Sequence, residues 1–161
     1  MIFKNLEKKR KKLGTLSFAL IDPDKKNDQI LPNIINNINK ASFDSILVGG
    51  SMISDDKFEE RITYIKSSTD LPIIIFPGGS DQVSSKADAI LFTSLISGRN
   101  PQFLIEEQVK SSLKIYNQSI EPIPTGYILL QTDKKSAVEI ISNTKPLPMN
   151  DIELIISHAL A

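Results

Sequence analysis

The feature that most restricts the fold of this chain is a repeated plan: a short aliphatic run, a polar or glycine-rich loop, then a stretch with helical periodicity. Aliphatic runs that do not alternate with polar residues are strands buried on both faces, and helical connections imply parallel pairing through right-handed crossovers. The first run, 16–21, leads through Asp22, Pro23, Asp24 and Lys25 into a helix with Ile30, Ile34 and Ile38 on one face and Leu31 and Ile35 beside them. The second, 46–48, leads through Gly49, Gly50 and Ser51 into a helix carrying Phe58, Ile62 and Ile65. A third, 73–76, stops at Pro77, Gly78, Gly79 and Ser80. A fourth, 89–92, leads to Asn100 and Pro101, an N-cap followed by a first-turn proline, opening a helix with Leu104, Ile105, Val109 and Leu113. A fifth strand is expected near 126–130 and a short helix near 137–141. A last helix opens at Asn150 and Glu153, which have capping-box spacing.

This plan is compatible with an open doubly wound sheet or with part of a (β/α)8 TIM barrel. The final helix runs apolar to Ala161, with no glycine, proline or basic last turn to end it. A complete eightfold barrel takes about 250 residues. The expectation is therefore an α/β fold, an incomplete barrel of about five parallel strands with intervening helices. It forms a single domain over 1–161, led by a basic helix over 1–14.

Composition narrows the chemistry. With 40% hydrophobic and 24% charged side chains, the 161 residues suffice for one globular core. Basic and acidic residues balance at 19 each, so no overall field draws the chain to nucleic acid. The absence of cysteine excludes thiolate nucleophiles and cysteine-held metals. No apolar run approaches the ~20 residues of a membrane span. The basic run 8–12 lacks the following apolar segment of a secretory signal, and a cytoplasmic setting is expected. Beside Ile2, Phe3, Leu6 and Leu13, that run reads either as a membrane- or RNA-touching amphipathic helix or as a solvated cover for the barrel floor.

Parallel α/β folds bind ligands at the carboxyl ends of their strands. There, Asp22 and Asp24 offer carboxylates suited to Mg²⁺, which usually takes one or two carboxylates together with substrate phosphates and water; a turn with a helix cap is the competing reading. Gly49, Gly50 and Ser51 offer backbone N–H groups and a hydroxyl for a phosphate or a metal shell, and Gly78 to Ser80 repeat the idea. Arg99 could meet a phosphate bidentately but is read as a solvent salt bridge or loop anchor, and the single histidine, His158, as structural.

In order, Leu20-Ile21-Asp22-Pro23-Asp24-Lys25, Val48-Gly49-Gly50-Ser51, Ile75-Phe76-Pro77-Gly78, Ser97-Gly98-Arg99-Asn100-Pro101 with Phe103-Leu104-Ile105, Ile123-Pro124-Thr125-Gly126-Tyr127-Ile128 and Ile141-Ser142-Asn143-Thr144-Lys145-Pro146 stand along the chain. This succession resembles the geranylgeranylglyceryl phosphate synthases and their bacterial heptaprenylglyceryl relatives. The resemblance implies a modified TIM barrel that transfers a polyprenyl group from its diphosphate to the C3 hydroxyl of sn-glycerol 1-phosphate. It implies Mg²⁺ held at Asp22 and Ser51, and substrate contacts at Asp24, Lys25, Gly49, Gly50 and Tyr127. It further implies a cytoplasmic enzyme of lipid biosynthesis, homo-oligomeric when intact, with peripheral membrane contact. Glu106 departs from the glycine that relatives often carry after Phe-Leu-Ile. The family's catalytic glutamate and glycerol-phosphate cradle belong to later strands, so no catalytic residue is assigned here.

The leading expectation is a prenyltransferase whose first 161 residues are inactive alone. Alternatives are a noncatalytic binding or assembly module derived from the same barrel, and another phosphate-binding TIM-barrel enzyme. A purified chain of these 161 residues is expected to give no prenyl transfer, and measurable ether product would overturn that expectation.

Overall fold

The computed structural model describes residues 1–161. Five strands, β1 (Phe18–Ile21), β2 (Ser45–Val48), β3 (Ile73–Ile75), β4 (Ala89–Ser94) and β5 (Glu121–Gly126), form one sheet in chain order. Every neighbouring pair is parallel. A doubly wound sheet reverses strand order part-way and so carries helices on both faces. Here the order never reverses, and right-handed crossovers bring every connection to the same side. The other side is the inside of a barrel arc, which decides between the two architectures left open by the sequence.

The two faces are covered differently. On the outer face, Ile21, Ile46, Ile73, Ile75 and Ile90 meet Ile35 and Ile38 of α2 (Leu31–Lys40), Ile62 and Ile65 of α3 (Phe58–Ser67), and Ile115 of α4 (Glu107–Asn117) in one apolar cluster. On the inner face, Ile74, Ala89 and Ile123 form a smaller cluster with Leu47 and Leu91, closed by Ile2 and Leu6 of α1 (Ile2–Leu13). Glu121, at the start of β5, accepts the N–H groups of Ile2 and Phe3 and so caps α1. Lys9 pairs with Asp44 at 2.6 Å just before β2. The basic leading helix is thus pinned across the amino ends of the strands, away from the ligand-binding rim. No helix is long and apolar enough to cross a membrane.

Three local expectations need correction. The fifth strand is Glu121–Gly126, ahead of the 126–130 segment. Its Pro122 and Pro124 read as strand breakers, but Tyr127 donates to Ser94 in β4, so the odd-numbered N–H groups face the neighbour and the prolines face the open edge. In α2 the buried face is Leu31, Ile35 and Ile38, while Ile30 lies outside the helix. The last helix, α6 (Ile152–Leu160), is capped by Asp151, whose carboxylate accepts the Leu154 N–H at 3.1 Å, rather than by Asn150. Between the third and fourth runs, where the sequence predicts no helix, β3 joins β4 through turns alone.

The helix after β4 also differs in detail. Asn100 caps it as expected, its side chain accepting the Gln102 N–H at 3.1 Å. The first turn, Gln102–Glu106, is a π-helix, which adds a residue per turn and shifts the helical register. Gln108, Ser111 and Ile115 of α4 consequently face inward, while Ile105, Val109 and Leu113 face outward. Ile62, fully buried in α3, is expected to cost about 2–5 kcal/mol on truncation to alanine. Ile105→Ala, at a position 57% exposed, is expected to cost less than about 0.5 kcal/mol. Urea unfolding midpoints of the two variants test this orientation.

Candidate active site at the carboxyl ends of the strands

Asp22 is the first residue past β1, held there by an extended backbone ahead of the buried Pro23. One carboxylate oxygen, Oδ2, ion-pairs with Lys26 Nζ at 2.8 Å. The other, Oδ1, is buried and has no hydrogen-bond partner. A buried, unpaired carboxylate oxygen is costly, and such atoms mark places where a group is to be bound. Gly50 makes room for it: a Cβ there would lie 2.6 Å from Oδ1. The Asp22 partner raises the Lys26 ammonium above its ordinary range.

The glycines serve close approach rather than anion binding. A Cβ on Gly49 would sit 1.8 Å from the Phe76 carbonyl oxygen, and one on Gly78 would sit 2.2 Å from that of Gly50. Their amides are spent within the protein. Gly49 donates to Ile21 at 3.1 Å, and Gly50 and Gly78 both donate to the side-chain oxygen of Gln82, at 3.4 and 3.2 Å. Gln82 returns a hydrogen bond to the Gly50 carbonyl at 2.7 Å and is itself only 2% exposed. The Gly49, Gly50 and Ser51 loop and the Pro77 to Ser80 loop are thereby fastened together. Gly49 and Gly50, expected to contact substrate through backbone N–H groups, shape the rim with those groups bonded inside the protein.

Asp24 and Lys25 stand differently in the loop after β1. Asp24 is buried, with one carboxylate oxygen accepting the Lys26 N–H at 3.1 Å and the other the Ser54 N–H at 2.8 Å. These bonds, that from Lys26 foremost, hold its carboxyl below the usual range. It braces the loops. Lys25 is exposed, and Lys26 is the lysine that reaches Asp22. Ser51 stands on the rim beside Gly50 with its hydroxyl free of protein partners.

From this rim a cavity of about 230 Å³ runs between the sheet and α4, beside the helix-free connection from β3 to β4. Its walls include Phe76, Val83, Ile90, Phe92, Phe103, Ile115 and Ile141, with Ser51 and Gly79 at the mouth. Tyr127 lines it and meets Phe76 edge-to-face, with ring centres 5.6 Å apart at 67°. Burial pushes the Tyr127 phenol above its ordinary value. Glu107 stands at the mouth and accepts the Ser80 N–H at 2.7 Å. Burial pushes its carboxyl up, but hydrogen bonds from Ser80, Gln102 and Lys110 outweigh that and hold it low.

No group of three or more acidic or histidine side chains forms a cage for a metal. The donor set is one orphaned carboxylate oxygen and one free hydroxyl, which suits Mg²⁺ taken up together with phosphate oxygens. Arg99 donates to the Gly98 carbonyl of its own loop at 2.7 Å, and His158 Nδ1 lies 3.0 Å from the Ile96 carbonyl, tying the last helix to the segment after β4. Gln82, Lys26 and Glu107 were not legible as site residues. Arg61 was not read as one either, although it leaves a signal: it interrupts the apolar face of α3 between Phe58 and Ile65, and a charge there requires buried partners.

The PcrB family model matches residues 7–161. The chain belongs to the PcrB family. This PcrB-family chain is 45% identical over 143 residues to the geranylgeranylglyceryl phosphate synthase of Zunongwangia profunda, covering 89% of this chain and 61% of that protein. It is 42% identical over 142 residues to that of Flavobacterium johnsoniae, covering 88% and 58%. It is also similar to the crystal structure of (S)-3-O-geranylgeranylglyceryl phosphate synthase from Thermoplasma acidophilum in complex with sn-glycerol-1-phosphate. The TM-score is 0.85 at 34% identity, over 94% of this chain and 61% of that one. The chain spans about three-fifths of the length of the curated relatives it matches.

The loops bearing Asp22 and Ser51 are tied by Arg61, which pairs with both Asp28 and Asp55. Arg61 holds the Asp55 carboxyl down at about 2. Unfolded, an aspartate titrates near 3.9. A depressed folded value means stabilisation that is complete above roughly pH 4 and lost as pH falls toward 2. Asp55→Asn is expected to flatten the dependence of unfolding midpoint on pH across that window, and unchanged steepness would contradict the pairing.

Proposed function

We propose that this chain supplies the diphosphate and prenyl half of a phosphoglycerol prenyltransferase: it holds a polyprenyl diphosphate by its metal-bound head at Asp22 and Ser51 and by its hydrocarbon tail in the cavity under α4. The observation that carries this reading is the unpaired buried carboxylate oxygen of Asp22 standing against Gly50, which itself lines the 230 Å³ aliphatic and aromatic cavity. A sugar phosphate would leave such walls without a partner, whereas an isoprenoid chain matches them. The names of the relatives and the sn-glycerol-1-phosphate of the Thermoplasma acidophilum structure support the same chemistry.

The reaction joins the C3 oxygen of sn-glycerol 1-phosphate to C1 of the allylic diphosphate. The C1–O bond to the diphosphate breaks, pyrophosphate leaves with the bonding pair, and the hydroxyl proton is released. Mg²⁺ at Asp22 and Ser51 would neutralise the charge that develops on the departing diphosphate. Lys26 stands beside Asp22 with a charge that its partner stabilises, so it adds a second cation on the same side. Gly50 keeps the carboxylate at the rim by leaving it space. Phe76, Phe92 and Tyr127 exclude water from the allylic carbon and give developing positive charge aromatic faces. Tyr127 is thus read as a substrate-binding residue of the channel. Glycerol phosphate is not assigned to residues of this chain, since barrel phosphate sites commonly use the loops after strands seven and eight.

Binding of geranylgeranyl thiolodiphosphate, a non-reacting analogue, is expected to depend on Mg²⁺ in this chain. Asp22→Ala should weaken it by at least tenfold, roughly 1.4 kcal/mol. Calorimetric titration with and without Mg²⁺ measures this, and equal affinity for the two proteins would sink the assignment.

A further inference from the structure

Helix α3 follows the loop that carries Ser51, and its inward face holds Phe58, Ile62 and Ile65 with Arg61 among them, 5% exposed. The guanidinium is shared between two loops. Nε and Nη2 donate to Asp28 at 2.6 and 2.8 Å, while Nη1 and Nη2 donate to Asp55 at 2.6 and 2.8 Å. Asp28 closes the turn that Asp22 opens, and Asp55 lies in the loop begun by Ser51. Between them, the Ser54 N–H donates to Asp24 at 2.8 Å.

We propose that Arg61 is a positioning residue: by gripping Asp28 and Asp55 together it fixes the Asp22 loop against the Ser51 loop, so that carboxylate and hydroxyl face the same metal–diphosphate group. The inference rests on the functional reading above and extends it to a residue that touches neither metal nor substrate. The grip is not needed for sheet register. β1 and β2 are paired through four residue pairs, and α2 and α3 are seated by the aliphatic cluster. Both carboxylates that Arg61 holds belong instead to the rim loops. Its planar fork is the only part of a cationic side chain that can meet two carboxylates side by side, and lysine lacks it.

The test uses the 161-residue chain with Mn²⁺ and inorganic pyrophosphate as probes, free Mn²⁺ being followed by its electron paramagnetic resonance signal. Arg61→Gln is expected to weaken Asp22-dependent Mn²⁺ binding about 10–100-fold, the range for groups that orient a metal ligand. Arg61→Lys should recover only part of the loss. Hydrogen exchange supplies a readout free of metal: the Lys26 and Ser54 amides, both donors to Asp24, should exchange faster in Arg61→Gln, while β1 to β3 keep their protection. If Arg61→Gln loosens the whole sheet, Asp28→Asn, which leaves the Asp55 half of the fork intact, is read in its place and should show the same pattern more weakly. Equal Mn²⁺ affinity in wild type and the Arg61 variants, with Asp22→Ala abolishing it in both, overturns the proposal. Binding in wild type that ignores Asp22 overturns the functional reading instead. Exchange then decides whether Arg61 orders the two loops, and unchanged Lys26 and Ser54 rates show that it does not.

Discussion

A parallel sheet must be covered on both faces, because its strands are aliphatic throughout and its backbone pairs leave nothing for water to do. Sequential strand order sends all the crossovers to one face, so the other face can be closed only by curling the sheet and filling the inside. Helices α2, α3 and α4 meet the first requirement, and α1 meets the second at the amino ends of the strands. With the floor taken by α1, the carboxyl ends remain as the place where loops can assemble a site. That division rests on Glu121 and Asp44, two acidic residues next to strands, which fasten a helix otherwise rich in solvated lysines.

At the carboxyl ends, backbones approach more closely than side chains allow. Gly49 touches the Phe76 carbonyl and Gly78 touches that of Gly50, so the exits of β2 and β3 pack as bare main chain. Main chain packed this tightly needs its polar groups paired internally, and Gln82 does so by accepting two amides and donating to one carbonyl from a fully enclosed position. The result is a rigid wall against which the Asp22 carboxylate stands with one oxygen unpaired. The cavity arises from a related economy. With no helix between β3 and β4, the outer layer has a gap, and aliphatic and aromatic side chains line it rather than fill it. A polar head and an apolar tail can therefore be held at one site.

Much of this was legible in the residues themselves. The βα repeats, the strand cores at Ile46 to Val48 and Ile73 to Ile75, the Asn100 cap and the placement of Asp22, Ser51 and Tyr127 beside the rim and cavity follow from periodicity, turn chemistry and ordered resemblance to the family. Prolines hid β5, because a proline facing an open edge and one breaking a strand look alike in one dimension. The π-turn hid the true inner face of α4, since one extra residue rotates everything after it. Residue type and the family resemblance point Asp24 and the two rim glycines toward a ligand, but neither carries the hydrogen bonds that engage these groups within the loops.

What the sequence by itself determined is the class of fold and the kind of chemistry offered at strand ends, because both depend on residue type at short spacing. Only the tertiary structure decided which of those groups is spent and which is free. Lys26 rather than Lys25 reaches Asp22, Gln82 fills the glycine amides, and Arg61 clasps Asp28 and Asp55. Each of these depends on atoms brought within about 3 Å by the packing of separate strands and loops. Local spacing carries no record of that.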